Sequence, residues 1–528
     1  MATFVIVGAG SAGCVLANRL SENPDVEVVV LEAGGWDKSP LIHMPAGYFH
    51  LMQSGKLDWG YHTEPQQHAD NRRMFLPRGR SVGGCSVINA MIHMRGHRQD
   101  YDHWAQLGNA GWDYESVLPY FVKAECWHGG EAFGHGRDGP IRTSRAGLDN
   151  PISQAWLRAS SEAGYAYNED LNSGNQEGTG PCDAAIGHGI RSSVSRGYVT
   201  PVKHRKNLRI IVKARVTRII IERNRAVGVE YLRRGRLCHV YADQEVLLCG
   251  GAFNSPHILQ LSGIGDQRHL KQSGINARLD LPGVGRNLQD HVAIPVQFRL
   301  KEACSKLKYL RRHRQMLCAL QYFLTGDGVA AAPGVEVMSF LRTRPDIPSP
   351  DVQFHLLNIM YNDHGRKIVP VEGFMGLINK SRPESRGSVL AKSSDPIDLP
   401  RVDPNYLSAP ADMRTLRDAL RLFRDIVSQR AFDDIRGEEY SPGKDMTSDS
   451  DLDDYIRAKS DSIYHPVGTC KMGSDASAVV DDRLRVHGMD GLRVVDASIM
   501  PTITSCNTNV PCIMIGEKAS EMILQDTA

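Results

Sequence analysis

The sequence predicts an α/β chain in which a domain built on a parallel sheet is interleaved with a second, α+β domain built on an antiparallel sheet with helices. Three observations carry this. At 528 residues the chain is too long for one compact core. Its first 33 residues read as strand, glycine turn, helix and strand. Beyond residue 292, short strand patterns alternate with a strongly amphipathic helix.

In order, residues 4–7 form an unbroken apolar strand, 8–13 a glycine turn, 14–20 a helix and 26–31 a second strand, which together make one βαβ unit. From 34 to 76 the text turns to Gly, Pro, His and aromatic residues without a period, an excursion of the kind that carries binding surface. Residues 209–212, 216–221, 227–232, 238–241 and 245–248 read as a β-meander followed by a strand of the main sheet. A strand is expected at 352–357, and a helix at 411–427, where Met413, Leu416, Leu420, Phe423 and Ile426 recur at helical spacing. The chain closes with a strand at 492–495 and a helix at 509–524 with Pro511 near its start. The expected division is therefore a discontinuous domain (1–35, 200–291 and 462–528), a connecting region with a lid (36–199) and a second domain (292–461).

A net charge of +2 gives no pull toward nucleic acid. No apolar run reaches the ~20 residues that span a bilayer, and residues 1–7 lack the features of a signal peptide. The eleven cysteines are odd in number and contain no CxxC pair, which favours reduced thiols and a cytoplasmic placement. There is no HExxH helix, so no metal is expected, and His93, His97 and His103 read as a loop and helix start. One basic stretch, Lys306, Lys308, Arg311, Arg312 and Arg314, precedes Met316, Leu317, Leu320 and Phe323. It is amphipathic enough for peripheral contact at an inner membrane, although a solvated helix face is the simpler reading.

Gly8, Gly10 and Gly13 enclose Ser11 and Ala12 in a GxGxxG turn between strand and helix. The first glycine permits the turn, the second lets a pyrophosphate approach the backbone, and the third lets helix and strand touch. Glu32, nineteen residues past Gly13 and followed by Ala33, ends the second strand where a carboxylate accepts hydrogen bonds from ribose hydroxyls. This is a Rossmann-like dinucleotide site, and it does not choose between FAD and NAD.

Four further segments make the choice. Residues 78–89 (RGRSVGGCSVIN), 251–265 (GAFNSPHILQLSGIG), 284–291 (VGRNLQDH) and the C-terminal runs 464–469, 494–498 and 507–511 together resemble the glucose-methanol-choline (GMC) oxidoreductases over essentially the whole chain. The overall look is similar to the branch that oxidises choline and aliphatic alcohols. The resemblance implies FAD, with Arg80, Gly83, Gly84, Ser86, Asn89, Ala90, Val216, Asp496, Ala497, Asn509 and Val510 joining the glycine turn around it. In covalently flavinylated relatives a histidine of the Gly-Gly loop bonds the flavin; Ile88 stands at that position, so noncovalent FAD is implied. His93 departs from the family pattern without an evident reason.

Alcohol oxidation removes a hydroxyl proton and a carbon-bound hydride, so it needs a base facing an electrophile. His465 is the expected base, because imidazole titrates near neutral pH and Pro466 holds its backbone extended. Asn507 matches the second member of the family's catalytic pair, its amide bonding the substrate oxygen. Tyr464, Glu336 and Tyr48 are expected around the substrate, a set that could also cage a trimethylammonium group. The implied reaction is oxidation of a primary alcohol to an aldehyde, hydride passing to flavin N5 and electrons then to a quinone-type or other carrier. The alternatives are an oxygen-using alcohol or choline oxidase, and a non-redox lyase of the hydroxynitrile type.

Overall fold

The computed structural model describes residues 2–130 and 134–527. The N-terminal apolar run forms β1 (Ala2–Val7), which turns at Gly8 into α1 (Ser11–Leu20). β2 (Val26–Glu32) then returns parallel to β1, with Phe4 opposite Val28 and Val7 opposite Leu31. Both strands are buried on both faces, which is why they read as near-continuous Val, Ile and Leu instead of alternating.

This parallel sheet has five strands in the spatial order β4 (Leu208–Val212), β2, β1, β8 (Val246–Leu248) and β14 (Leu492–Val494). Parallel pairing brings all the carboxyl ends to one edge, where ligands of such sheets bind. Gly8, Glu32, Gly250 and Asp496 all lie at that edge, contributed by segments up to 488 residues apart. Residues 209–212, read from sequence as the first strand of the meander, belong instead to this sheet. Lys213, at φ 56°, pivots the chain out of it, and the meander proper is β5 (Ala214–Glu222), β6 (Arg225–Arg233) and β7 (Arg236–Tyr241). Both kinds of strand carry the same β-forming residues, so pairing partners were not legible there.

The second sheet is antiparallel and orders β13 (Arg436–Ser441), β9 (Val292–Leu300), β12 (Gly373–Lys380), β11 (Val352–Leu357), β10 (Val337–Leu341) and β3 (Gly178–Pro181), with Asp461–Ser462 paired to the start of β9. α4 (Pro410–Ser428) lays Leu416, Leu420 and Phe423 on one face of it. Phe423 lies 4.7 Å from the Trp156 ring and 5.8 Å from Phe354, and Gly376 makes room for it, since a Cβ there would come within 2.2 Å of that ring. Along β11, Phe354 and Leu356 join this core while the alternate residues His355 and Leu357 line a cavity on the other face.

Three of the remaining helices bear on the site or its surroundings. α2 (Gly251–Leu261) follows β8, α3 (Arg312–Thr325) lies on the outside of the molecule, and α5 (Asn509–Thr527) returns to α1. Gly516 allows that last approach, because a Cβ on it would come within 2.9 Å of Val15. Phe423→Ala is expected to lower unfolding free energy by about 3–5 kcal/mol through the cavity left among the rings. Urea denaturation checks this, and a loss below ~1 kcal/mol would mean that the core closes over the gap.

Candidate active site

A cavity of about 970 Å³ runs from the carboxyl edge of the parallel sheet to the inner face of the antiparallel one. At its first end, Gly8 has φ 104° and a Cβ there would lie 2.5 Å from the Cys249 carbonyl oxygen. Gly10 lines the cavity, where a Cβ on it would meet nothing nearer than the Cys249 carbonyl oxygen at 3.9 Å, and no side chain caps the helix that starts after it. Its first N–H groups are therefore open to an anionic ligand. Ser11, Ala12, Ala33 and Val216 line the same end. Gly13 does not; a Cβ on it would fall 2.0 Å from the Gly8 carbonyl oxygen, so it serves the contact between helix and turn.

Glu32 is held on the wall by two backbone N–H donors, Ala9 to Oε2 at 3.0 Å and Gly34 to Oε1 at 2.7 Å. Burial pushes its carboxyl up to about 7 despite those bonds. A glycine cradle, an uncapped helix start and a buried carboxylate at the end of the second strand fit the pyrophosphate and ribose of FAD.

The loop at residues 78–89 forms the next stretch of wall. Gly84, Asn89 and Ala90 line it, and Gly84 backs onto Gly10 so closely that a Cβ would come 2.7 Å from the Gly10 Cα. Gly83 and Ser86 hold the loop from behind: Gly83 N–H donates to Ala9 O at 2.7 Å, and Ser86 Oγ donates to Gly83 O at 2.7 Å. Arg80 stacks over Trp59 at 4.8 Å and does not line the cavity. Arg191, which sequence reasoning missed, anchors the loop. Fully buried, its Nη1 donates to the Asn89 carbonyl at 2.7 Å and to Asn89 Oδ1 at 2.8 Å, and its Nε to Ile42 O at 2.8 Å.

From the C-terminal region come Asp496, Ala497 and Asn509, while Val510 is turned into the core. Asp496 accepts from Gly251 N–H at the start of α2 and from Ser498 N–H, both at 2.8 Å, so it caps two elements and also faces the cavity. Asn509 Oδ1 accepts from Ser11 Oγ at 2.7 Å, tying the last helix to the glycine turn.

At the far end of the cavity stand His465 and Asn507. Asp290 accepts from the His465 backbone N–H at 2.7 Å and fixes the loop. The hydrogen positions on the ring follow from a chain of contacts. His291 Nε2 lies 2.8 Å from the Ser381 carbonyl, which can only accept, so Nε2 carries the hydrogen and Nδ1 of a neutral His291 is an acceptor. His465 Nδ1 lies 2.9 Å from that acceptor, so it donates, and His465 Nε2 is left with a free lone pair. Asn507 Nδ2 points at this lone pair from 3.1 Å, its orientation set by Gln353 Nε2, which donates to Asn507 Oδ1 at 3.2 Å. The motif holding His291 was visible in the sequence; its contact with His465, and Gln353, were not.

Burial drives all three imidazoles here toward the neutral form: His465 well below the usual range, and His291 and His355 down to about 4. For a base whose folded pKa is depressed, the unfolded chain binds more protons in acid. Stability is therefore highest above a pH of about 6.5 and falls as pH drops toward about 4, by about 3 kcal/mol for each of His291 and His355, with His465 acting in the same direction. Thermal melting from pH 8 to pH 4 is expected to show that decline, and a flat profile would contradict buried neutral imidazoles.

Tyr48 and Tyr464 both line the reaction end; Tyr464 sits at φ 74° with its hydroxyl 2.5 Å from His364 Nδ1. Glu336 does not face the cavity. It pairs with Lys306 at 2.7 Å and accepts from Ser153 Oγ at 2.6 Å and Asn358 Nδ2 at 2.9 Å. His93 is also elsewhere, its Nε2 3.1 Å from buried Glu125, which Arg95 and His135 also contact. Among the described residues, one group, His135, Asp170 and Asp183, has a spacing that could hold a metal ion, but Glu125, Arg145 and Asn172 already engage its donor atoms.

A dinucleotide cradle opening onto a neutral, lone-pair-bearing imidazole is the site of a flavin-dependent oxidoreductase of alcohols. The chain belongs to the GMC oxidoreductase family, whose profile matches residues 2–293 and 383–516, and it is an FAD-dependent enzyme acting on a CH–OH donor. It is 44% identical to the mitochondrial choline dehydrogenase of Mus musculus, over 99% of this chain and 89% of that protein. It is 45% identical to the oxygen-dependent choline dehydrogenase of Burkholderia vietnamiensis, over 98% and 93%. Among solved structures, pyridoxine 4-oxidase from Mesorbium loti superposes with a TM-score of 0.90 at 31% identity, covering 99% of both chains. A formate oxidase from Aspergillus oryzae gives 0.94 at 28%, covering 99% and 98%.

Proposed function

We propose that the protein oxidises a primary alcohol to an aldehyde with His465 as base and noncovalent FAD as cofactor. The observation that carries this is the chain of contacts leaving His465 Nε2 unprotonated at the cavity. Bound FAD supplies the hydride acceptor. His465 Nε2 receives the hydroxyl proton, and Asn507, which donates to that nitrogen in the free enzyme, redirects an amide N–H to the substrate oxygen as it gains negative charge. Gln353 keeps the amide in that sense, and Asp290 keeps the His465 backbone in place. Ile88 supports the noncovalent mode, since an alkyl side chain lines the cavity where a flavin-bonding histidine stands in other members. Acid precipitation should then release all the flavin into the supernatant.

Two features bear on the partners. Relatives described as oxygen-dependent or as oxidases support dioxygen as electron acceptor over the quinone-type carrier expected from sequence. The names of the nearer relatives suggest choline, and Tyr48, Tyr361 and Tyr464 offer ring faces for it. Yet the carboxylates lining this end are paired, Asp461 with His364 at 3.0 Å and Asp363 with Arg366 at 3.9 Å, and Glu336 is withdrawn. A neutral alcohol of choline's shape, 3,3-dimethylbutan-1-ol, is therefore expected to reduce the flavin at least as well as choline.

Anaerobic mixing of the purified flavoprotein with an alcohol panel tests the whole reading. Bleaching of the oxidised flavin by at least one alcohol is expected, and none at all would refute oxidation. His465→Ala should slow that step by roughly 10²–10⁴-fold. His291→Phe, which removes the acceptor for His465 Nδ1–H, should slow it by about 10²-fold or more with little change in KM. Reoxidation by air against a quinone analogue separates the acceptors.

A further inference from the structure

α3 carries apolar side chains on two opposite faces. Cys318 and Tyr322, one turn apart, seat it on Met44, Ala330 and Ala331, and the Tyr322 hydroxyl reaches His43 O at 3.3 Å. Half a turn round the helix, Met316, Leu317, Leu320, Phe323 and Leu324 follow the i, i+3, i+4, i+7 rule and form a second stripe. Apart from the Phe323 ring meeting its neighbour Tyr322 edge-on, that stripe faces outward: the five are exposed by 70, 55, 56, 64 and 75%. They are five of the twelve large apolar side chains that the described surface exposes, gathered within nine residues, where scattered single ones would need no explanation.

The charge around the stripe is one-sided. Lys306, Lys308, Arg311, Arg312 and Arg314 lead into it, and there is no Asp or Glu from residue 303 to 326. Glu336 neutralises Lys306, and among the described residues no carboxylate pairs with the other four. An exposed apolar stripe with an uncompensated cationic approach is complementary to an apolar interior beneath an anionic surface, the cross-section of a bilayer rich in acidic lipid. A second copy of the chain would instead bring the same unpaired cations face to face, at an electrostatic cost. From sequence the stretch is amphipathic enough for peripheral membrane contact, with a solvated helix face as the simpler reading; the exposure of its apolar side argues against the simpler one.

We propose that α3 docks the protein peripherally on anionic membrane, Phe323 and its apolar neighbours entering the acyl boundary while Arg311, Arg312 and Arg314 meet the headgroups. The helix rests on the segment that continues into Tyr48 and Met52, both on the cavity wall, so the docked face adjoins the active-site chamber. Co-sedimentation of the FAD-loaded protein with vesicles tests this. Wild type is expected to sediment with mixed phosphatidylglycerol–phosphatidylcholine vesicles, to do so about tenfold less with phosphatidylcholine alone, and to be released by salt. Phe323→Ser with Leu324→Ser should weaken binding at least tenfold. Arg311→Gln, Arg312→Gln and Arg314→Gln together should abolish the preference for acidic lipid. Each variant should retain full alcohol oxidation in solution, which also shows that it folds. Wild type staying in the supernatant with both vesicles would overturn the proposal, as would variants that bind like wild type. A wild-type dimer that the Phe323/Leu324 substitutions dissociate, without vesicle binding, would assign the stripe to a second copy.

Discussion

One backbone carbonyl, that of Ser381, orders the reaction end of this protein. Because it can only accept, it settles which nitrogen of His291 carries hydrogen, and that in turn settles His465. The chain works only while all the groups stay dry and neutral, since a proton on His291 Nδ1 would face the donor on His465 and break the contact between them. Burial supplies that condition, and burial comes from the antiparallel sheet: His291 leads straight into β9, and His355 projects from β11. The geometry of the base thus rests on the packing of the second domain, while the cofactor cradle rests on the first. The two meet because Asp461–Ser462, just before His465, pairs with the start of β9.

The same dryness shapes the electrostatics. Among the described residues no carboxylate is hydrogen-bonded to the His465 ring, Asp290 meeting only its backbone N–H, so proton uptake is favoured when a negatively polarised substrate oxygen is present to match it. Asn507 adds a dipole that favours the same charge distribution. Arg191 is a further fixed charge, buried behind Asn89 with only carbonyl and amide oxygens for partners. The loop that carries Asn89 is therefore pinned from the side away from the cavity, leaving the Asn89 backbone little freedom to retreat.

What the sequence disclosed was local. The glycine turn and Glu32 are separated by one helix and one strand, so their spacing alone carried the geometry, and Gly8, Gly10 and Glu32 do meet at one edge. The motif resemblance likewise brought His465, Asn507, Asp496 and Asn509 to a common wall. Finer assignments depended on side-chain direction, which a motif does not encode. Gly13, Gly83 and Ser86 support the cradle from behind, Arg80 turns to Trp59, and Val510 turns inward. Glu336 read as a candidate for the substrate cavity, yet Lys306, thirty residues earlier, draws it away. Gln353 and Arg191 were invisible because each is defined by a partner more than a hundred residues distant.

The clasp between α1 and α5 bears on how the molecule is made. β14 and α5 arrive more than 450 residues after β1 and β2, yet they complete the same sheet and cover the same helix, with Gly516 set against Val15 and buried Glu517 gripping Arg19 at 2.7 Å. Until that segment leaves the ribosome, β8 has an open edge and α1 an uncovered apolar flank. The nascent chain therefore carries an unfinished nucleotide cradle until that segment has emerged, and the site for the flavin is whole only after it.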